Sequence, residues 1–414
     1  MENLVVTNIG QLITLAGVSA PCVGKALGEL SVLENAALIC RSGLIDWVGK
    51  LVDLPKLENY DIIDAKKSVV TPGLVDAHTH PVFAGTREQE YELKILGKTY
   101  QEIAASGGGI RSTVRCTRAA TEEDLLAESR EHINLLLSHG TTTVEAKSGY
   151  GLSLADELKS LQVIKKINQE GKVELVPTFL GAHEVPDEYR NNRDGYINLL
   201  IEEMIPTVAK EKLAEYCDIF CENHVFSIAE SRKILTTAKK YNLKLRLHAD
   251  QLTLSGGAKL AAELGASTAD HLEHIDEEGI TALKQAKVMP VLLPGSVFHL
   301  GLKEYPPARK MIEAGLAIVL ATDFNPGSSP TPSLPMIMSL ACTQMRMTPA
   351  EALTACTINA AYSLGRGEKL GSIVVGKQAD LVIFNCQDYR QIPYFFGTNL
   401  VNTVIKHGNI AYRR

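Results

Sequence analysis

Two histidines separated by a single residue, His78 and His80, close the segment Leu74-Val75-Asp76-Ala77-His78-Thr79-His80. Residues two apart on a strand point to the same side, so both imidazoles can be aimed at one point in space, as a metal site requires. The pair alone is weak evidence and needs further ligands at the ends of other strands. His248 and Asp323 are the candidates. Three neutral imidazoles and one carboxylate, from His78, His80, His248 and Asp323, make a site suited to zinc or iron with room for a water. A divalent ion lowers the pKa of bound water to about 7, which makes hydroxide available as a nucleophile at neutral pH. Asp323 could both ligate the ion and accept a hydrogen bond from that water.

Each of these residues also has an ordinary role. Asp323 precedes Phe324-Asn325-Pro326-Gly327, where an Asx-turn or cap is usual for an aspartate. His248 could be a hydrogen-bonded core histidine, and His271 could fix a loop, with His274 three residues on as its rival. Their convergence at strand ends raises them above these alternatives. A second metal would usually need a bridging group, such as a modified lysine at the end of the fourth strand. Phe220-Cys221-Glu222-Asn223-His224 offers none, and Lys147, after the second strand, is expected to pair with Glu145 or another carboxylate. One zinc or iron ion per chain is therefore expected.

The elements that must position these groups alternate short apolar runs with amphipathic helices, the signature of βαβ units around a parallel sheet. Strands are expected over 69–76, 141–145, 173–179, 218–221, 244–247, 267–270, 288–293 and 317–321. Helices are expected over 121–138, 154–170, 227–241, 255–264 and 307–314, with Ser227 and Ser255 as N-caps. The pattern predicts an α/β fold, a (β/α)8 TIM-type barrel with its chemistry at the C-terminal strand ends. His78 and His80 fall at the end of the first strand, His183 after the third, His248 at the fifth, His271 at the sixth and Asp323 at the eighth. Residues 1–68 instead show short strands, at 4–13, 36–41 and 44–48, with Gly43 turning a hairpin. Similar texture returns at 371–384 and 401–409. The two ends are therefore expected to pair into a small composite β-sandwich domain, 1–68 with 366–414, around a barrel spanning 69–365.

Composition narrows the function. The 414 residues are 45% hydrophobic and 22% charged with a formal net charge of −6, and no long run of one sign offers a surface to nucleic acid. The start Met1-Glu2-Asn3-Leu4-Val5-Val6 lacks the basic-then-apolar pattern of a signal peptide, and no apolar run is long enough for a membrane span, so a cytoplasmic protein is expected. Eight cysteines in a chain this long read as reduced core residues.

Several segments taken together are more specific: Pro72-Gly73-Leu74-Val75-Asp76-Ala77-His78-Thr79-His80, Phe83-Ala84-Gly85-Thr86-Arg87, Lys147-Ser148-Gly149-Tyr150-Gly151, Phe179-Leu180-Gly181-Ala182-His183-Glu184, His248-Ala249-Asp250-Gln251, Ala269-Asp270-His271-Leu272 and Ala321-Thr322-Asp323-Phe324-Asn325-Pro326-Gly327-Ser328-Ser329-Pro330. Over nearly its whole length the chain resembles the amidohydrolase superfamily, and within it the imidazolonepropionase family. The resemblance implies hydrolysis of the small molecule 4-imidazolone-5-propanoate to N-formimidoyl-L-glutamate in histidine degradation, by a homodimer.

The same resemblance implies roles for residues around the metal. Arg87 would grip the propanoate bidentately, its ordinary alternative being a surface ion pair. Tyr150 and His183 would line the pocket, and Asn325, Gly327 and Ser328 would contact substrate or product; packing would explain the tyrosine and turn geometry the glycine. His271 would be the base, with Asp323 assisting. Many mononuclear relatives place a glutamate three residues after the fifth-strand histidine, where this chain has Gln251. An amide cannot shuttle protons, so Gln251 would orient the substrate or its leaving nitrogen. The segment Gly107 to Thr113 is expected to be a mobile flap over the barrel mouth, since it lacks the context of a phosphate loop. A ring aminohydrolase and a catalytically silent metal-binding barrel are the competing readings; the first would release ammonia, and the second would bind metal without turnover.

Overall fold

The computed structural model describes residues 3–56, 58–98, 102 and 107–414. The chain begins with β1 (Leu4–Ile13), β2 (Val32–Arg41), β3 (Leu44–Lys50), β4 (Asp61–Asp64) and β5 (Val69–Pro72). It then runs through β6 (Leu74–Thr79), β7 (Thr141–Lys147), β8 (Glu174–Ala182), β9 (Tyr216–Cys221), β10 (Lys244–Ala249), β11 (Thr268–His271), β12 (Met289–Leu292) and β13 (Val319–Leu320). The strands β14 (Leu381–Phe384), β15 (Val401–Lys406) and β16 (Asn409–Arg413) complete it.

β6 to β13 form one eight-stranded sheet in sequence order, every pairing parallel, with helices between consecutive strands. This is the expected barrel. Its seam is closed by a parallel bridge between Thr79 and Phe324 and by buried Asp76, which accepts from Thr322 N–H at 3.0 Å and Thr322 Oγ1 at 2.6 Å. Val75 and Ala77 of β6 face the barrel interior, in a core shared with Val176, Tyr216, Val291, Val319 and Ala321 and closed at the bottom by Ala360, Ala361 and Leu364. Asp76, in register with Val144, faces outward, and a bulge between Asp76 and Thr79 brings His78 to the same inner side as Ala77, where it meets Asp270.

The two chain ends do pair, through antiparallel β5 and β14, into one mixed sheet in the order β16-β15-β14-β5-β1-β2-β3, with β4 also on β1. β1 carries a register shift between Val6 and Ile9, with Asn8 at φ 52°, so its first half pairs with β4 and its second with β5. Apolar side chains from both ends of the chain fill a core of their own there.

Three expectations change. The strand expected over 69–76 is two strands broken at Gly73, whose N–H bonds Asp380 O at 2.8 Å and where a Cβ would overlap Thr142. Residues 69–72 thus join the terminal sheet, and only Leu74 onward is barrel. Ser255 does not cap the next helix, Gly257–Leu264. The Asp250 carboxylate does so, accepting from the N–H groups of Gly256, Gly257 and Ala258 at 2.7, 3.1 and 2.9 Å, while the Ser255 hydroxyl bonds Asp250. The segment expected to be a flap enters the helix Ile110–Ala119 after Gly109, and Arg111 and Arg118 tie that helix to Asp187 and Glu188. Ser227 caps Ile228–Lys240 with a full capping box, as its sequence predicts. Among the described residues no helix is long and apolar enough to cross a membrane.

Candidate active site

The C-terminal rim of the barrel gathers the histidines. His78 and His80 leave the end of β6, His248 lies near the end of β10 and His271 ends β11, while Asp323 follows β13 in a left-handed conformation at φ 53°. His78 Nδ1 stands 2.6 Å from Asp270 Oδ2, so its proton sits on Nδ1 and Nε2 keeps a free lone pair. That Nε2 lies 3.3 Å from His80 Nε2 and 3.6 Å from Asp323 Oδ1, and His80 Nε2 is 3.4 Å from the same carboxylate oxygen. Burial holds both imidazoles well below their ordinary pKa, and Lys147 and the neighbouring rings push the same way. Burial pushes Asp323 upward, against the opposing pull of His271 and His248. Two neutral nitrogens and a carboxylate oxygen that converge in this way are a donor set for a cation.

His248 joins from the next side, its ring centroid 4.6 Å from that of His78 and 5.5 Å from that of His80. Among the described residues three ligand-competent triads share His78: His78/His80/Asp323 and His78/His248/His271 at the rim, and His78/Asp218/Asp270 beneath it. The four residues expected to hold a metal therefore come together, with His271 beside them. His271 Nδ1 is 3.5 Å from Glu273 Oε1. Burial lowers the His271 pKa, but Glu273, Asp323 and Asp270 outweigh it and the net shift is upward. His274 instead faces Glu304 at 3.1 Å, half-buried.

The remaining candidates form the wall. His183 stacks on His80 at 5.2 Å and donates from Nδ1 to Gly149 O at 2.9 Å, leaving Nε2 free. Tyr150 sits 5.3 Å from the His183 ring and 6.0 Å from the His80 ring, and burial pushes its phenol upward. Their loop is held by Glu157, whose Oε1 accepts from the N–H groups of Gly149, Gly151 and Leu152 at 3.2, 2.8 and 2.8 Å. Asn325 spends its side chain on its own loop: Oδ1 accepts from Gly327 and Ser328 N–H, both at 2.8 Å, and Nδ2 reaches Asp323 O at 2.6 Å. This leaves Ser328 Oγ 3.5 Å from Asp323 Oδ2. Arg87 lies against Gly327, where any Cβ would overlap its guanidinium, and meets Glu90 from Nε at 3.0 Å and Nη2 at 2.9 Å. The pair is largely buried, not the exposed surface pair that was its alternative. Gln251 is half-buried on a bend whose next two N–H groups, of Leu252 and Thr253, are fixed by the buried Glu222 carboxylate at 2.9 and 3.2 Å.

Sequence reasoning named Glu145 only as a partner for Lys147, which it is at 2.8 Å, and passed over Asp218, Arg246, Asp270 and Glu273. Glu145, Asp218, Arg246 and Asp270 lie inside apolar strands, two residues before a rim residue or in register with one. A charged residue at that spacing must face the barrel interior, so the signal was present.

The model of the amidohydrolase family matches residues 69–411. The chain belongs to the amidohydrolase family. It is 54% identical to an imidazolonepropionase from Solibacter usitatus and 49% identical to one from Geobacillus thermodenitrificans, covering 100% and 99% of this chain and 100% and 98% of those proteins. Among solved structures, this amidohydrolase is similar to guanine deaminase from E. coli, with a TM-score of 0.75 at 15% identity over 100% of both chains. It is also similar to 5-methylcytosine deaminase from Klebsiella pneumoniae, with a TM-score of 0.74 at 17% identity over 99% and 98%. At those identities the likeness shows the shared fold.

Proposed function

We propose that the chain hydrolyses the ring amide of 4-imidazolone-5-propanoate to N-formimidoyl-L-glutamate, as an imidazolonepropionase of histidine degradation. The observation that carries this reading is the convergence of lone pairs from His78, His80 and Asp323 at the rim of a chain that matches imidazolonepropionases end to end. His78, His80, His248 and Asp323 would hold one zinc or iron ion. When bound, such an ion polarises the substrate carbonyl and supplies hydroxide at neutral pH.

The protein's own residues do the rest. Arg87 pairs with the propanoate through the part of its fork not engaged by Glu90, which fixes the ring over the rim. Tyr150 and the free Nε2 of His183 hold the ring from the β7 and β8 side, and the Asn325–Ser328 loop closes the β13 side. His271 takes the proton from the attacking water; Glu273 at its far nitrogen supports the imidazolium that forms. As the carbonyl carbon gains the water oxygen and its bond to the ring nitrogen breaks, that proton passes to the departing nitrogen. Gln251 orients that nitrogen without titrating. A cytoplasmic homodimer belongs to the same proposal, with sedimentation as its check.

The test is loss of imidazolone ultraviolet absorbance beside elemental analysis. Turnover without ammonia release, at one equivalent of zinc or iron per chain, is expected. Stoichiometric ammonia would favour a ring aminohydrolase, and bound metal with no turnover a silent barrel.

A further inference from the structure

Beneath the rim lies a run of buried charge that the proposed reaction does not use. It begins at His78 Nδ1, 2.6 Å from Asp270 Oδ2, and continues to Arg246 Nη2, 3.4 Å from the same oxygen. Arg246 also donates to Ala77 O at 2.6 Å, in the strand that carries His78, and its Nε is 3.9 Å from Glu145 Oε1. That oxygen meets Lys147 Nζ at 2.8 Å, Lys147 meets Asp218 Oδ2 at 2.8 Å, and Asp218 Oδ2 lies 3.1 Å from His248 Nδ1. Two ligand histidines, which themselves face each other, are thus joined from behind by five charged side chains from β7, β9, β10 and β11, all fully buried.

Stability does not account for this. Five charges taken from water lose hydration that mutual attraction only roughly restores, and apolar side chains of similar volume would serve the core as well or better. Three carboxylates against two cations also leave one negative charge over, a complement to a cation held just above. A carboxylate behind each imidazole fixes which nitrogen keeps the proton, and the other is left to ligate.

We propose that Lys147 and Arg246 are positioning residues for the cation site, acting through Asp218 and Asp270 to fix the tautomer and orientation of His248 and His78, with Glu145 coupling the two limbs. This rests on the metal site proposed above. Without Lys147, Asp218 loses the ammonium that points its Oδ2 at His248. Without Arg246, Asp270 and the backbone carbonyl of Ala77 lose the clamp that holds the His78 ring.

The experiment measures zinc affinity of the full-length, metal-depleted protein by competition with a chromophoric chelator, beside its metal-free melting temperature. Lys147→Met, Arg246→Met and Asp218→Asn should each weaken zinc binding about 10- to 100-fold. The double variant of Lys147→Met with Asp218→Asn should be no weaker than Asp218→Asn alone, since both act on one limb. Should Lys147→Met fail to fold, Lys147→Met with Glu145→Gln, which keeps the charge balance, reads the same limb. A lowered melting temperature with zinc affinity kept within twofold, or effects that multiply within one limb, would overturn the proposal. His248→Ala separates the two levels. If it binds zinc as tightly as the parent, the metal site itself is wrong; if it loses zinc while Lys147→Met keeps it, only the positioning role fails.

Discussion

Arg87 shows what one residue's surroundings decide. Its guanidinium is held by Glu90 on one edge and lies against the bare Cα of Gly327 on the other, so the fork is preset but not fully spent. Arg87→Ala should raise KM for the propanoate substrate by about 10- to 100-fold, the loss of one charged hydrogen-bonding partner, and should hardly change KM for an uncharged imidazolone. Equal effects on both would remove the carboxylate clamp. Gly327→Ala should reproduce that KM signature, because the added methyl displaces the guanidinium. His271→Ala tests the base instead: kcat should fall about 10²- to 10⁴-fold with little change in KM, as single-turnover rates would show. Glu273→Gln should move kcat the same way by less. The histidines and Asp323 could be read from the sequence because a type and a spacing announced them. The supporting carboxylates could not be read so directly, since a lone Asp or Glu in a strand carries no motif, and Glu157 acts by accepting three backbone N–H groups that only the folded loop brings together.

At the scale of elements, the period of the apolar pattern made all eight barrel strands legible, and what it missed were switches between partners. Val69 to Asp76 reads as a single run because both halves are apolar; only the terminal sheet, with Asp380 bonding Gly73, makes it two. Ser255 looked like a cap by type, but the longer reach of Asp250 from the end of β10 took the N–H groups first. Where a cap stands with its complete local partners, sequence suffices, as at Ser227. There Glu230 completes the capping box and also meets Arg193, whose hydrogen bonds, with those of Ser227, hold its carboxyl down at about 2. A carboxylate depressed in the folded state stabilises fully above its unfolded value and loses that contribution as pH falls through the folded one. The parent should therefore lose stability between about pH 4.5 and pH 2 that Glu230→Gln lacks from the outset. Denaturant midpoints should differ at pH 6 and converge near pH 2. The side chain is only half-buried and its Arg193 partner is more exposed still, so solvent screening should keep the difference modest.

The whole molecule is tied together by its seam. β13 is short, and it meets β6 through Asp76, the Thr79–Phe324 bridge and Asp323 N–H on His78 O at 3.0 Å. The proposed ligands straddle that seam: His78 and His80 stand on one side, Asp323 on the other, and His248 across the mouth. A cation held there would bind only the closed barrel, and anything that binds the folded state alone adds stability that grows with the logarithm of its concentration. At a thousandfold excess over Kd this amounts to about 4 kcal/mol, on the order of 5 °C in melting temperature for a chain of this length. Stripping the metal with a chelator should therefore lower Tm by that amount, and titrating zinc back should raise it steadily rather than in one step. His80→Ala, which removes a ligand but none of the backbone bonds of the seam, should melt near the stripped parent and respond little to added zinc. A Tm that rises with zinc equally in both proteins would place the stabilising ion elsewhere and separate the closing of the barrel from the site at its rim.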